Sequence, residues 1–385
     1  IVESDLINQC AQEFNRKHGR LFNPSYALAK ILWMKRNRPE IWQKTRRWIH
    51  AADFIVGKLT DDFGVSDYSN ALKTGYDLYD FRWPGFIENN LDISLKMFPT
   101  VIAPGDIIGK VSARCSEETG LSKDTRVCAG MTDSSASLLA TGAAQPGDWS
   151  STIGTTLSIK GITEKEIRDE SGAVYCHRHP AGWWMPGAAS NVGGEWLTKL
   201  FPNIDKNEMN EKAAQFGVSN VLVYPLVRKG ERFPFVNPDA EGFIIGEAKD
   251  EVDLYRGYLE GTGFVEKLCY ETLDQLGGFI GEELYIAGGT ARSLAWAQIR
   301  ADILQKRLLI PELPEACLGA AILAASRTYY QNLTDAGKNM ARVDRILEPN
   351  RNMSSLYSQK YGMFLNYLVQ RNYIHQKPPD TPVDS

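Results

Sequence analysis

The clearest indication of the fold class comes from residues Leu284–Ala325, LYIAGGTARSLAWAQIRADILQKRLLIPELPEACLGAAILAA. An apolar run ends in a glycine pair and is followed by a helical segment, a short apolar run and a helix of small residues. This order of strand, glycine loop, helix, strand and helix is typical of α/β proteins. In such folds, a strand that ends in glycines before a helix start is a common place for ligands to bind. The stretch therefore predicts an α/β domain with a candidate site at Gly288 and Gly289.

A second glycine turn precedes this stretch, in WSSTIGTTLSIKG over residues 149–161. Its alternating pattern predicts a β-hairpin with Gly154 and Thr155 at or near the tip. Glycine lets backbone amides approach a phosphate, and threonine hydroxyls add donors. Hairpin tips with these residues are more often plain turns, so the turn alone leaves both interpretations open. The chain contains neither the three-glycine dinucleotide fingerprint nor a GxxxxGK[ST] loop, which argues against a Rossmann or P-loop enzyme.

The stretch Cys128–Ala144, CAGMTDSSASLLATGAA, contains a single charged side chain, Asp133. An apolar run that ends in glycine precedes it, and small residues compatible with a helix follow. This pattern indicates the end of a strand and the start of a closely packed helix. A carboxylate at such a junction is typical of a helix N-cap, and it also suits a catalytic base. The local pattern by itself favours the cap.

The composition is that of an ordinary globular protein, with 43% hydrophobic and 23% charged residues among 385. A formal net charge of −4 argues against nucleic acid as an obligate partner. No apolar run approaches the roughly 20 residues that a membrane-spanning helix needs, and the first residues lack the organisation of a signal peptide. The six cysteines have no paired spacing, which favours reduced thiols over disulfides or a metal site. We therefore expect a cytoplasmic protein with no membrane partner.

The remaining pattern is rich in helix before about residue 60 and mixed after a boundary at 130–150. Pro39 opens a predicted helix over EIWQKTRRWIHAADFIVGKL, and a long amphipathic helix is predicted from about Val252 to Leu276. Ile1 lies within helical apolar spacing that no cap precedes, so we expect the chain to be a fragment. The predicted divisions are residues 1–130, residues 131–350, a C-terminal helix over 351–373 and a flexible tail over 374–385.

Taken together, several of these strings resemble the FGGY family of carbohydrate kinases. The strings GMTD and GAAQPGDWSSTIGTT, followed by the stretch Leu284–Ala325, carry the resemblance, and NPSYALAKILWMKRNRPEIW and GKLTDDFGVSDYSNALKTGYD extend it over nearly the whole chain. SDYSNALKTGYD, HRHPAGWWMPGAASNVGG and GERFPF look most like the D-ribulokinase-like branch. The resemblance implies an actin-like ATPase (ribonuclease H-like) fold. It also implies a two-domain sugar kinase whose first domain, residues 1–130, is incomplete at its N-terminus and whose nucleotide-binding domain covers 131–350.

The resemblance also implies roles for individual residues. Asp133 matches the general base, which takes the proton from the sugar hydroxyl that attacks ATP. Gly154 and Thr155 match a phosphate-binding turn. The adenosine motif and the positions expected to contact or stack near the base are Gly288, Gly289, Thr290, Ser293 and Trp296. The implied cofactors are ATP and Mg²⁺, with no residue of this chain assigned as a metal ligand.

Structural interpretations stand beside several of these roles. From spacing alone, Trp296 is better explained as a core aromatic residue. Gly193 and Gly194 suit an approach to the nucleotide and equally the packing of a helix start. Arg232 in GERFPF is better explained by a salt bridge, at the surface or between domains, than by a ligand contact, because most arginines are exposed. The GAA at 319–321 is best explained by close packing of a helix.

The leading hypothesis is a kinase that phosphorylates a ketopentose, D-ribulose first and D-xylulose second. FGGY kinases begin with a hairpin that carries an Asp-x-Gly-Thr/Ser phosphate motif, and no Asp-x-Gly-Thr occurs in this sequence. We therefore expect weak nucleotide binding and little turnover from the chain by itself. A catalytically inactive nucleotide-binding or regulatory protein on the same fold is the alternative. A homodimer is left open by the sequence.

Overall fold

The computed structural model describes residues 1–375, and they form two compact units. Unit 1 comprises residues 1–140, 177–184 and 315–340. Unit 2 comprises residues 141–176, 185–314 and, among the described residues, 341–375. Among the helices of residues 1–375, none combines the length and the apolar character of a membrane span.

Unit 1 is mostly helical and contains two small two-stranded sheets, β1 with β2 in parallel and β3 with β4 antiparallel. Its helices and strands are α1 Val2–Cys10, α2 Gln12–His18, α3 Ala27–Asn37, α4 Pro39–Trp42, α5 Ala51–Thr60, β1 Val65–Asp67, α6 Tyr68–Ala71, α7 Phe86–Asn89, β2 Thr100–Ile102, β3 Ile107–Lys110, α8 Ala113–Thr119, β4 Arg126–Cys128, α9 Asp133–Ala140, α14 Ala316–Ala325 and α15 Leu333–Met340. Apolar side chains at helical spacing, such as Ile7, Phe14 and Leu28, form its buried core.

The remaining elements form a larger sheet with helices and a separate antiparallel pair of strands. They are β5 Trp149–Ile153, β6 Leu157–Gly161, β7 Tyr175–Arg178, β8 Trp184–Ser190, α10 Glu195–Lys199, α11 Lys206–Phe216, β9 Leu222–Tyr224, β10 Phe243–Ile245, α12 Glu251–Gln275, β11 Glu283–Ala287, α13 Leu294–Leu304, β12 Arg307–Pro311, β13 Val343–Leu347 and α16 Ser354–Gln370. The seven-stranded sheet has the order β13-β12-β11-β5-β6-β8-β7, and β9 pairs with β10. This mixed sheet with helices confirms the predicted α/β class.

Most of the predicted elements are present. The hairpin over 149–161, the long helix near 252–276 and the strand–helix–strand–helix order after residue 283 are all confirmed. One predicted helix is wrong, because the segment after Pro39 forms two helices with a break at 43–50. Asp53 explains the second start, since its Oδ2 accepts the backbone N–H of His50 at 2.8 Å and closes the first turn of α5.

The domain prediction also differs from the structure. Helix α9 and residues 315–340 belong to unit 1 and not to one block over 131–350. Close packing explains this, because a Cβ on Gly319 of α14 would lie 1.8 Å from the carbonyl oxygen of Ala136 in α9. The predicted packing role of Gly319 is therefore confirmed. The predicted tail over 374–385 lies, from residue 376 on, outside the described residues.

Candidate functional site

Three strands of the seven-stranded sheet end at the same edge. Strands β5 and β11 are parallel neighbours, with Ser151 opposite Ile286 and Thr152 opposite Ala287. Strand β6 is antiparallel to both β5 and β8, so β8 runs in the direction of β5. Because the carboxyl ends of parallel strands meet at one edge, the turns that follow β5, β8 and β11 converge there.

These turns contact one another and form one backbone surface, which we call the glycine cradle: Gly154–Thr156, Gly193–Gly194 and Gly288–Thr290. The N–H of Gly194 donates to the carbonyl oxygen of Gly154 at 2.7 Å. The hydroxyl of Thr290 donates to the carbonyl oxygen of Ile153 at 3.2 Å. The turns at Gly154 and Gly288, which were predicted separately from the sequence, thus lie together with the turn at Gly193.

Two positions of the glycine cradle admit only glycine. A Cβ on Gly193 would lie 2.5 Å from the carbonyl oxygen of Thr155 and 2.5 Å from the Cα of Thr156. Gly288 has φ +89°, and its Cβ would lie 2.9 Å from the carbonyl oxygen of Ile153. Both clashes are with backbone atoms, which cannot move aside as a side chain can. Glycine at these positions therefore sets the spacing of the turns.

The other two glycines of the turn tips face open space. A Cβ on Gly154 or Gly289 would meet no protein atom within 4 Å, and both residues are exposed. Throughout residues 1–375, no acceptor pairs with the backbone N–H of Thr155 or of Gly289. Unpaired amides on glycine turns are typical of anion-binding concavities. The glycine cradle therefore fits a phosphate-bearing ligand.

The two residues expected near an adenine base, Ser293 and Trp296, differ in how far they are buried. Ser293 is half-buried and its Oγ accepts the N–H of Trp296 at 3.3 Å, so it caps α13. Trp296 is only 2% exposed, its ring packs against that of Trp196 with 5.8 Å between ring centroids, and its Nε1 donates to Leu259. The enclosed ring of Trp296 fits the core interpretation given by its spacing, and a contact with the base stays a prediction. A contact from Ser293 stays a prediction.

Asp133 lies in unit 1, where it is the first residue of α9. The cap interpretation is wrong in position, since the helix begins at Asp133 itself and the carbonyl of Thr132 accepts from Ser135 and Ala136. The carboxylate is exposed, and its Oδ1 accepts the N–H of Ser134 at 2.6 Å. An exposed carboxylate at a helix start can take a proton from a bound hydroxyl.

Thr132, the residue before Asp133, forms hydrogen bonds with side chains that the sequence reasoning missed. Ser69 Oγ accepts the N–H of Thr132 at 3.1 Å and lies 3.4 Å from Nδ1 of His177, and Thr132 Oγ1 donates to Ser135 at 3.0 Å. Ser69 lies 63 positions before Thr132. No local pattern reports a contact over that separation.

Glu231, in the string GERFPF, is another residue that the sequence reasoning missed. Arg232, the residue singled out there, is exposed, whereas its neighbour Glu231 is buried. Glu231 accepts the N–H of Asn191 at 2.6 Å and the hydroxyl of Ser190 at 2.9 Å, so it fixes the end of β8 just before Gly193. Burial raises the pKa of Glu231 above its usual value. A charged residue flanked by glycine and aromatic residues was the available signal.

Two family models match the chain. Residues 3–140 match the N-terminal domain of the FGGY family of carbohydrate kinases, and residues 150–327 match its C-terminal domain. Curated relatives include a gluconokinase of Bacillus subtilis, 27% identical over 94% of this chain and 74% of its own length. A xylulose kinase of the same species is 26% identical over 94% and 73%. A ribulokinase of Staphylococcus aureus is 28% identical over 90% and 68%.

Solved structures of the same kind share the fold. A ligand-bound xylulose kinase from Lactobacillus acidophilus superposes with a TM-score of 0.83 at 22% identity, covering 97% of this chain and 78% of the other. A glycerol kinase from Plasmodium falciparum, solved with ADP, gives a TM-score of 0.79 at 18% identity, covering 94% and 75%. At these identities the likeness shows the fold alone.

Proposed function

This chain belongs to the FGGY family of carbohydrate kinases, and from that premise we propose that it transfers the γ-phosphoryl group of ATP to a hydroxyl of a ketopentose. Members of the family are phosphotransferases with an alcohol group as acceptor. D-ribulose is the preferred substrate in this proposal and D-xylulose the next. A homodimer stays a prediction.

The observation that carries the proposal is the glycine cradle. Its unpaired amides at Thr155 and Gly289 would hold phosphate oxygens, and its open glycines Gly154 and Gly289 would let those oxygens approach the backbone. ATP supplies the transferable phosphoryl group when it is bound, and Mg²⁺ bound with it neutralises phosphate charge. The choice of sugar is supported by the ribulokinase-like strings of the sequence and by relatives named ribulokinase and xylulose kinase.

The first experiment uses the full-length protein and measures sugar-dependent release of ADP from Mg-ATP with D-ribulose, D-xylulose, D-gluconate and glycerol. We expect the highest kcat/KM with D-ribulose. A preference for D-gluconate would replace the ketopentose, in keeping with the gluconokinase relatives. Absence of turnover with every sugar, together with measurable ATP binding, would favour the inactive nucleotide-binding alternative.

Asp133→Asn tests the proposed general base. In this proposal Asp133 takes the proton of the attacking hydroxyl, and loss of a general base lowers kcat by about 10²–10⁴-fold. The carboxylate is exposed, so the melting temperature should hardly change. The KM for ATP should also stay near that of the wild type, because the glycine cradle is untouched. Wild-type turnover by this variant would show that Asp133 is not the base.

A further inference from the structure

Three polar side chains are fully enclosed in unit 2, and two of them lie on elements that are next in the chain to turns of the glycine cradle. Ser151 lies on β5, Glu266 on α12 and Arg300 on α13, and each is 0% exposed. We call this group the buried triad.

The buried triad is a closed set of charge-assisted hydrogen bonds. Arg300 Nε donates to Glu266 Oε2 at 2.7 Å, and Arg300 Nη2 donates to Glu266 Oε1 at 2.8 Å. The same Nη2 lies 2.7 Å from Ser151 Oγ, which in turn donates to Glu266 Oε1 at 2.5 Å. Two-pronged arginine–carboxylate pairing fixes direction as well as distance.

Each end of the buried triad belongs to an element that carries a turn of the glycine cradle. Ser151 precedes Gly154 by three residues on β5, and it pairs with Ile286, two residues before Gly288. Arg300 lies on α13, which begins four residues after Thr290. The buried triad therefore ties β5 to α13 beneath the contact between Thr290 and Ile153.

Stability alone gives no reason for this arrangement. Arg300 Nη1 is buried and pairs with no acceptor anywhere in residues 1–375, which costs free energy. Replacing a buried ion pair by apolar side chains of similar volume is often neutral or stabilising. The hydrogen bonds of the buried triad instead fix the positions of β5, α12 and α13 relative to one another.

We infer that Arg300, Glu266 and Ser151 are positioning residues that keep the turn Gly154–Thr156 and the loop Gly288–Thr290 in register for nucleotide phosphates. This inference rests on the proposed ATP site. Loss of the buried triad lets the two turns shift apart, and a misplacement of about 1 Å can cost about 10²-fold in rate.

The matched test compares Glu266→Gln with Glu260→Gln. Both glutamates lie on α12, both are 0% exposed, and both pair with a buried arginine. The partners of Glu260, however, include Arg256, Tyr357 and Lys360 on α12 and α16, which carry no turn of the glycine cradle. Glu266→Gln should lower kcat/KM for ATP by about 10–100-fold and leave KM for the sugar within about twofold. Glu260→Gln should change both by less than about threefold, whatever its melting temperature.

A double variant, Arg300→Met with Glu266→Leu, guards against misfolding. It removes both charges together, so we expect a melting temperature near that of the wild type and a KM for ATP still raised about 10-fold or more. A wild-type KM for ATP in this folded double variant would overturn the inference, as would equal effects of Glu266→Gln and Glu260→Gln. ATP binding by the wild type is measured first by calorimetry, and its absence would overturn the proposed function and this inference together.

Discussion

At the residue scale, Gly289 separates a ligand role from a packing role. A methyl group there meets no protein atom within 4 Å, and no positive φ is involved, so Gly289→Ala should leave the free energy of unfolding within about 1 kcal/mol of the wild type. The methyl group would occupy the space proposed for a phosphate oxygen. Loss of one hydrogen bond to a charged group, about 1.5–3 kcal/mol, should raise KM for ATP by about 10-fold or more.

Gly362→Ala is the matched control, because its added methyl group also meets nothing within 4 Å. Gly362 lies inside α16, where alanine should stabilise the protein by about 0.5–1 kcal/mol and leave KM for ATP unchanged. Equal KM values for Gly289→Ala and the wild type would remove Gly289 from the proposed site.

Single residues also show how far sequence reasoning reaches. The sequence places Gly154, Gly288 and Asp133 at turns and junctions, because glycine and isolated charges leave a local signature. Spacing favours Trp296 as a core residue, but no local pattern identifies its packing partner Trp196, a hundred positions away. Ser69 left no local signature of its contacts, and the only signal for Glu231 was its charge within GERFPF.

At the scale of elements, Asp67 joins strand β1 to helix α6, accepting the N–H of Asn70 at 2.9 Å as the N-cap. Its carboxyl group is 2% exposed, and burial raises the pKa of Asp67 from 3.8 to about 6. Because the folded state holds the proton of Asp67 more tightly than the unfolded state, the protonated carboxyl group stabilises the folded state fully below about pH 4. This stabilisation is lost as the pH rises through about 6.

Asp67→Asn should remove that dependence. Between pH 4 and pH 7 the wild type should lose about 2.4 kcal/mol of unfolding free energy relative to the variant. His18 and His179, whose pKa values burial lowers to about 4, titrate in both proteins, so their contribution cancels in the difference. Urea unfolding at several pH values measures this difference, and a constant difference from pH 4 to pH 7 would contradict the expectation.

Elements with one dominant period were predicted correctly. The hairpin of β5 and β6 alternates, and α12 keeps helical spacing over 25 residues. The helix predicted after Pro39 failed because its apolar spacing continues through residues 43–50. The hydrogen bond from His50 to Asp53 marks a new helix start that periodicity alone does not report.

At the scale of the whole molecule, each unit combines segments that are far apart along the chain, so the division into units does not follow the order of the sequence. Residues 315–340 return to unit 1 because α14 packs on α9 at Gly319, where no side chain separates the backbones. A boundary drawn along the sequence cannot anticipate a segment that returns. The family resemblance fixed the fold class correctly, while the unit membership of α9 and α14 required coordinates.

If the glycine cradle holds the phosphates of the nucleotide, Mg-ADP should protect the amides of its turns from hydrogen exchange. The N–H groups of Thr155 and Gly289 have no partner in residues 1–375, so they should exchange fast without nucleotide. We predict that Mg-ADP slows exchange in peptides that cover 150–158, 189–196 and 286–294. Unchanged exchange in all three peptides, at a nucleotide concentration that saturates binding, would show that the glycine cradle does not hold the phosphates.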